Sequence, residues 1–237
     1  MPTSHTATGR EQNQLLLALP HADYKVLLAD LQDVALPRGH VLFEARERIS
    51  HVYFPQHCVI SLVAPIDGER GVEVAIVGNE GMVGLSAFLG VHTASIQAVT
   101  QVPDAARRLT VAAFRRALAR GTAMRRIMLR YTDAMLSQIA QCSACNQRHR
   151  VVQRCARWFL MTHDRVGDDH FSLTQEFLGQ MLDVERPTVS AAARQLQAAG
   201  AIRYSRGRVT VTNRAGLEKA SCPCYRLLLQ DYARAFA

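Results

Sequence analysis

Residues 173–207 decide the fold, and they read LTQEFLGQMLDVERPTVSAAARQLQAAGAIRYSRG. Thr174 is suited to cap a helix, and the apolar residues after it recur every three or four positions. A second helix is predicted to begin at about Arg186, because Pro187 fits a first helical turn and Gly200 can end the helix. Two short helices joined by a tight turn form a helix-turn-helix.

A basic β-hairpin is predicted directly after the second helix. Residues 201–204 and 208–211 have strand patterns, and residues 205–207 form the turn between them. A helix-turn-helix followed at once by such a wing is typical of DNA-binding domains. The alternative is that the two helices only pack together and that the arginines of the hairpin are only solvated. Because the hairpin follows the helix-turn-helix at once, we favour DNA binding.

The predicted DNA contacts lie on the outer face of the second helix and on the wing. Arginine can bind a guanine edge with two hydrogen bonds, and Ser and Thr can donate to phosphates. Small residues near the start of the helix let its backbone approach the major groove. The candidate DNA-binding residues are Thr174, Gln175, Arg186, Pro187, Thr188, Ser190, Ala191, Arg194, Arg203, Arg206 and Arg208.

The region from residue 34 to residue 109 has a β pattern. Short apolar runs alternate there with turn signals, and the pair Asp67-Gly68 predicts a hairpin. The predicted strands are 40–43, 52–54, 59–63, 72–77 and 96–99. Strands at this spacing indicate a sandwich or barrel, here a β-roll.

A long helix is predicted after Gly121. Its apolar positions alternate in steps of four and three, with Gln138 as a polar intrusion, as in a coiled-coil seam. The predicted seam consists of Met124, Met128, Tyr131, Met135 and Cys142. Such a seam can pack on its own domain or on a second copy, and we expect a homodimer through this helix.

These elements predict an α+β chain with an N-terminal β-roll, a long dimerisation helix and a C-terminal winged helix-turn-helix. The expected divisions are a disordered N-terminus (1–14), a β-roll sensor domain (15–120), the dimerisation helix (121–146), the DNA-binding domain (147–220) and a C-terminal tail or helix (221–237).

Composition agrees with a polyanionic partner. The 237 residues have a formal net charge of +8, although the preference for Arg over Lys also fits a GC-rich genome. Residues 1–14 do not resemble a signal peptide, and no apolar run reaches the roughly 18 residues that span a bilayer. We therefore expect a cytoplasmic protein with no membrane partner and with six reduced cysteines.

The sequence resembles the Crp/Fnr superfamily of bacterial regulators, most clearly at residues 186–190 (RPTVS) and 199–202 (AGAI). The resemblance implies a jelly-roll effector domain, a dimer along the long helix, binding to palindromic double-stranded DNA, and RNA polymerase as a further partner. Many members have a glutamate where Pro187 stands and a second arginine where Ala191 stands. Arg186 is therefore the best base-reading candidate.

The resemblance also implies a degenerate effector pocket. Its residues would be Glu80, Gly81, Gly84, Leu85, His92, Thr93 and Ala94. His92 replaces the arginine that holds the cyclic phosphate, so control by a cyclic nucleotide is not expected and the effector is unknown. No cysteine precedes Cys58, which argues against the N-terminal iron–sulfur cluster of some members.

Two cysteine pairs leave alternatives open. Cys142 and Cys145 have CxxC spacing, so thiol redox state could be the signal, or the chain could be a thiol oxidoreductase. A metal site at Cys222 and Cys224 would need two more ligands, and no histidine is nearby in sequence. The favoured interpretation is a protein that is not an enzyme and has no catalytic residue, metal or cofactor.

Overall fold

The computed structural model describes residues 11–66 and 69–236, and its N-terminal half is a β-roll. The strands are β1 (Gln32–Leu36), β2 (Val41–Phe43), β3 (His51–Pro55), β4 (Val59–Ile66), β5 (Glu69–Val77), β6 (Gln97–Val102) and β7 (Asp104–Thr110). One sheet has the order β1-β7-β3 and the other β2-β6-β4-β5, with antiparallel pairing throughout. The helices here are α1 (Gln14–Leu17), α2 (His21–Leu28), α3 (Leu85–Phe88) and α4 (Val111–Arg120).

The predicted strands all occur, but β1 and β7 were not predicted. These two strands pair with each other, and Arg107 and Arg108 of β7 reach Asp33 and Gln32 of β1. Their charged residues hide the apolar alternation that indicates a strand. Strands β4 and β5 form the predicted antiparallel pair, and the turn Asp67-Gly68 lies outside the described residues.

Residues 11–14 correct the prediction of a disordered N-terminus over 1–14. The Asn13 side chain is fully buried and donates to the carbonyl oxygens of Pro55 (3.0 Å) and Gly81 (2.8 Å). Glu11 forms a salt bridge with Arg107 at 2.8 Å. These polar contacts to distant residues give no periodicity in the sequence. Residues 1–10 of the predicted segment lie outside the described residues.

The long helix is α5 (Thr122–Arg148), and its predicted seam faces the wrong way for a dimer. Met124, Met128, Tyr131 and Met135 are at most 4% exposed and belong to the core of the β-roll. Cys142 faces α6 (Val151–Val166), where Arg157 donates to its Sγ at 3.3 Å. The assignment of Met124, Met128, Tyr131 and Met135 to a dimer interface is wrong, because the chain's own β-roll covers them, whereas Cys142 is only half-buried.

The C-terminal half packs around a second apolar core, which also includes Val59, Ile76 and Val102 of the β-roll. After α6 come β8 (His170–Ser172), α7 (Gln175–Leu182), α8 (Arg186–Ala198), β9 (Ile202–Ser205), β10 (Arg208–Val211), α9 (Arg214–Ala220) and α10 (Cys224–Ala235). The strands form an antiparallel sheet in the order β8-β10-β9. Phe159, Leu178 and Leu196 are buried at the centre of this core.

A buried ion pair joins the two halves. Arg165 of α6 extends into the β-roll, where its Nη2 lies 2.8 Å from Glu80 Oε1 and its Nε donates to the same oxygen at 2.9 Å. Its Nη2 also donates to Gln138 of α5 at 3.1 Å, and Tyr232 of α10 donates to that same amide oxygen. One guanidinium therefore connects the β-roll, α5, α6 and α10.

We predict that Glu80→Gln and Arg165→Met lower the free energy of unfolding by about 3–5 kcal/mol, because each leaves a buried charge without its partner. Urea denaturation followed by the fluorescence of Trp158 would measure the change. The control is Arg116→Ala, which removes an exposed ion pair to Asp30 and should cost at most about 1 kcal/mol. Equal effects of the three changes would contradict a central role for the buried pair.

Glu73 of β5 makes the contact between the β-roll and the C-terminal half sensitive to pH, because it binds Trp158 of α6. Trp158 Nε1 donates to Glu73 Oε1 at 3.0 Å, and Glu73 Oε2 has no hydrogen-bond partner among the described residues. Burial raises the pKa of Glu73 to about 7, against the opposing effect of the hydrogen bond from Trp158. The native state therefore holds the Glu73 proton more tightly than the unfolded chain does.

The pKa of Glu73 is higher in the native state than in the unfolded chain. Its contribution to the free energy of unfolding is therefore fully present at low pH and is lost as pH rises from about 4.3 to about 7. We predict that the parent loses about 3 kcal/mol between pH 4 and pH 8 relative to Glu73→Gln, on the order expected from such a shift. Urea denaturation at both pH values would test this. Glu176→Gln, at an exposed glutamate, should retain the parent's pH dependence.

Candidate nucleic-acid interface

The angle between α7 and α8 is fixed by local contacts. Thr174 caps α7 by accepting from the amide of Phe177 at 3.1 Å, and Asp183 ends the helix with a φ of 51°. A side chain at Gly179 would place its Cβ 2.8 Å from the Val184 carbonyl oxygen, so the turn requires glycine there. The predicted helix-turn-helix is present.

Helix α8 has one buried face and one exposed face. Val189, Ala193 and Leu196 are buried against the core of the domain. Of the predicted contacts, Arg186, Pro187, Thr188 and Arg194 are exposed, whereas Ser190 and Ala191 are half-buried. The exposed residues lie on the side of α8 opposite to the core, where a duplex can approach.

Ser190 and Gln175 hold the two helices together. The Ser190 hydroxyl lies 2.6 Å from Gln175 Oε1 and 3.0 Å from the Arg186 carbonyl oxygen, so its proton is shared within the protein. In this arrangement the Ser190 hydroxyl joins α7 to α8, and its contact with phosphate stays a prediction. The geometry of Ser190 supports a positioning role for the start of α8.

The wing is attached to α8 by contacts that sequence reasoning missed. Gln197 of α8 accepts from the amide of Tyr204 at 2.8 Å, and the Tyr204 hydroxyl donates to the Leu173 carbonyl at 3.0 Å. At the tip, Arg206 and Gly207 have left-handed φ values of 48° and 73°. One feature of the sequence could have predicted the contact of Gln197 with the wing: it is a polar residue on the inward side of an amphipathic helix.

The exposed arginines of this surface are not neutralised by the protein. Within the described part of the chain, no salt bridge involves the five that the sequence predicted, which are Arg186, Arg194, Arg203, Arg206 and Arg208. In contrast, Arg107, Arg165 and Arg214 are paired with carboxylates elsewhere. A surface with free guanidinium groups attracts phosphate.

The predicted effector residues do not form one pocket. A cavity of about 140 Å³ in the β-roll includes Gly84, Leu85 and Ala94 in its lining. Glu80 binds Arg165 instead, Gly81 packs against Tyr131, and His92 and Thr93 are exposed. The rest of the described lining has no charged side chain, and it consists of Phe43, Ile49, Leu62, Met82, Ser86, Leu89, Ser95, Ile96, Met135 and Ile139.

Comparison with known protein families adds an independent finding. Residues 153–220 match the family of Crp-like helix-turn-helix domains. These residues include α7, α8 and the wing. Comparison with curated proteins gave no match.

Solved structures agree over most of the chain. FixK2 from Bradyrhizobium japonicum is 16% identical over 81% of this chain and 98% of its own, with a TM-score of 0.69. A CRP-family transcriptional regulator from Thermus thermophilus is 18% identical, covering 80% of this chain and 96% of its own, with a TM-score of 0.63. The chain has the Crp/Fnr fold and a Crp-like helix-turn-helix domain.

The chain is also similar to the structure of CLP from Xanthomonas campestris, which is described as a c-di-GMP-responsive global regulator. It is 14% identical, covers 81% of this chain and 99% of its own, and has a TM-score of 0.59. The described helices of the present chain include none long and apolar enough to cross a membrane.

Proposed function

We propose that this Crp/Fnr-type chain is a homodimeric transcription regulator that binds a palindromic operator through α8 and the wing. The observation that supports this most directly is the row of exposed, unpaired arginines on a Crp-like helix-turn-helix domain. RNA polymerase is the expected further partner at the promoter, and the cytoplasm is the expected compartment.

Arg186 is proposed to read bases, and Arg206 to bind the DNA backbone. Arg186 is the first residue of α8, and in this class of domain the N-terminal residues of the second helix contact base edges. Arg206 lies at the tip of the wing, where contact with sugar and phosphate beside the groove is expected. The two arginines should therefore differ in their effect on sequence preference.

The dimer is proposed to form through the face of α5 opposite to the buried one. Leu129 and Leu136 are 57% and 62% exposed, and they are one heptad apart. Asp133 and Ala140 are exposed on the same stripe. Two leucines at this spacing on a 27-residue helix would be buried if α5 paired in parallel with α5 of a second copy. In a monomer both side chains would stay exposed to water.

Regulation by a cyclic nucleotide is not part of the proposal. The cavity of about 140 Å³ is smaller than the roughly 300 Å³ at which ligand pockets usually begin, and its described lining provides no cation for a phosphate. Glu80, which would be an effector contact by resemblance, holds Arg165. A small apolar molecule is the ligand class that this cavity fits.

Selection of duplexes from a random pool by the purified protein tests the function, and we expect an enriched two-fold palindrome. On that site Arg186→Ala should cost about 1–3 kcal/mol and relax the base preference at one position in each half-site. Arg206→Ala should weaken binding to all sequences alike and reduce the salt dependence. Arg116→Ala is the control away from this surface.

Binding without any enriched sequence, at any salt concentration, would argue against a sequence-specific regulator. An equal loss for Arg186→Ala on all duplexes would show that Arg186 contacts phosphate.

The dimer face has its own test. Leu129→Glu combined with Leu136→Glu should convert the dimer to a monomer in sedimentation equilibrium, because four new carboxylates would replace the leucines and join the two of Asp133 in the contact. Leu17→Glu changes a leucine that is also 57% exposed but lies on α1, and it should leave the dimer intact. A dimer that survives the double substitution would refute this interface.

A further inference from the structure

Four metal-ligating side chains meet where α5 ends and α10 begins. The ligand atoms of Cys145, His149, Cys222 and Cys224 all lie within 4.8 Å of one another. Cys145 Sγ is 3.5 Å from Cys222 Sγ, and Cys224 Sγ is 3.5 Å from His149 Nδ1. The fold therefore supplies the two ligands that the Cys222-Pro223-Cys224 motif lacks in sequence.

Local geometry explains why these atoms converge. Cys145 and His149 are four residues apart at the C-terminus of α5, so both side chains lie on one side of the helix. Cys222 lies in the short link between α9 and α10, and Cys224 is the first residue of α10. The intervening Pro223 has a φ of −61° and a ψ of −16°, so the chain already turns in a helical sense between the two cysteines.

The three cysteines do not serve as filling for an apolar core. Each is 1% exposed, and together they form a separate small cluster beside the two large apolar clusters of the chain. His149 is half-buried at the edge of this group. A compact set of three buried thiols and one imidazole is a donor set that binds soft divalent ions.

A buried cation, Arg157, lies near this group of thiols. Arg157 is 4% exposed, its Nε has no hydrogen-bond partner among the described residues, and the nearby buried carboxyl group is that of Glu73. Its Nη1 donates only to sulfur, at Cys142 and Met161.

We propose that Cys145, His149, Cys222 and Cys224 form a structural Zn²⁺ site. Zinc in such sites is tetrahedral, with zinc–sulfur bonds of about 2.3 Å, so neighbouring ligand atoms are roughly 3.5–3.8 Å apart. Both pairs at 3.5 Å agree with this spacing. Four protein ligands leave no open position, as is usual for structural and not for catalytic zinc.

The charges balance when zinc binds. The three cysteines lose their protons to solvent, and the ion with three thiolates and one neutral imidazole has a net charge of −1. The guanidinium of Arg157 compensates that charge. Hard ions such as Mg²⁺ and Ca²⁺ do not suit this donor set, because they prefer oxygen ligands.

The site would hold α10 against the connection between the two halves. His149 ends α5 and Arg150 precedes α6, so residues 149–150 join the long helix to the DNA-binding half. Helix α10 also contributes Tyr232 to the buried group around Arg165. Zinc would therefore stabilise the orientation of the DNA-binding half, and this proposal does not depend on the proposed function.

Metal analysis of the purified full-length protein provides the first test, and we expect about one zinc ion per chain. Cys145→Ser and Cys224→Ser should each reduce the zinc content to a trace. Cys142→Ser is the matched control, because Cys142 is on the same helix, completes the CxxC spacing, and lies outside the four-ligand set. Cys58→Ser is a second control in the β-roll.

The second test is Co²⁺ titration of the metal-free protein, followed by absorption spectroscopy. The parent and Cys142→Ser should show the visible bands of tetrahedral cobalt and a thiolate charge-transfer band in the near ultraviolet. His149→Cys should retain the metal with a stronger charge-transfer band, whereas His149→Ala should weaken binding. The parent's own spectrum decides the matter even where a serine variant fails to fold.

Three results would overturn the proposal. The first is an absence of zinc from the parent together with an absence of tetrahedral cobalt bands. The second is an equal loss of metal in Cys142→Ser and Cys145→Ser, which would place the metal on the CxxC pair. The third is a Cys145–Cys222 disulfide, detected by mass spectrometry in protein purified without oxidant, because that bond removes two ligands.

Discussion

The contact of Arg165 with Glu80 is the interaction on which the arrangement of this protein depends. A guanidinium that leaves water must find an anion, and the only buried carboxylate that it reaches among the described residues is in the β-roll. Gly78 permits the approach, because a side chain there would meet Arg165 Cβ at 2.5 Å. The DNA-binding half therefore cannot turn away from the β-roll without exposing or breaking this pair, and α5 and α10 are joined to the same group through Gln138 and Tyr232.

This constraint also changes what the β-roll can sense. In the resemblance from sequence, Glu80 and Gly81 belong to an effector pocket, but the fold uses Glu80 to bind α6 and packs Gly81 against Tyr131. The residues that remain around the cavity are mostly apolar. An effector that enters this cavity would contact Met82, which follows Gly81, and Met135, which is on the same helix as Gln138. Gln138 accepts a hydrogen bond from Arg165, so a shift of either methionine would act close to Arg165.

On the surface proposed to bind DNA the five predicted arginines are exposed and form no salt bridge within the described residues, unlike the buried Arg165. The polar contacts of this surface hold elements together. Ser190 with Gln175, and Gln197 with Tyr204, position α8 and the wing relative to each other. The cysteine and histidine group at the end of α5 adds a third constraint, which fixes α10 beside the joint between the halves.

The sequence by itself determined the elements whose signals are local. The helix-turn-helix, the wing, five strands of the β-roll and the length of α5 follow from periodicity, caps and turn residues over short windows. Only the tertiary structure decided which face of α5 is buried, because a four-and-three repeat is the same whether the β-roll or a second copy covers it. The same reason applies to Asn13, to Glu80 with Arg165, and to Cys145 with Cys222: each contact joins residues at least 42 positions apart, and no local pattern encodes such a pair.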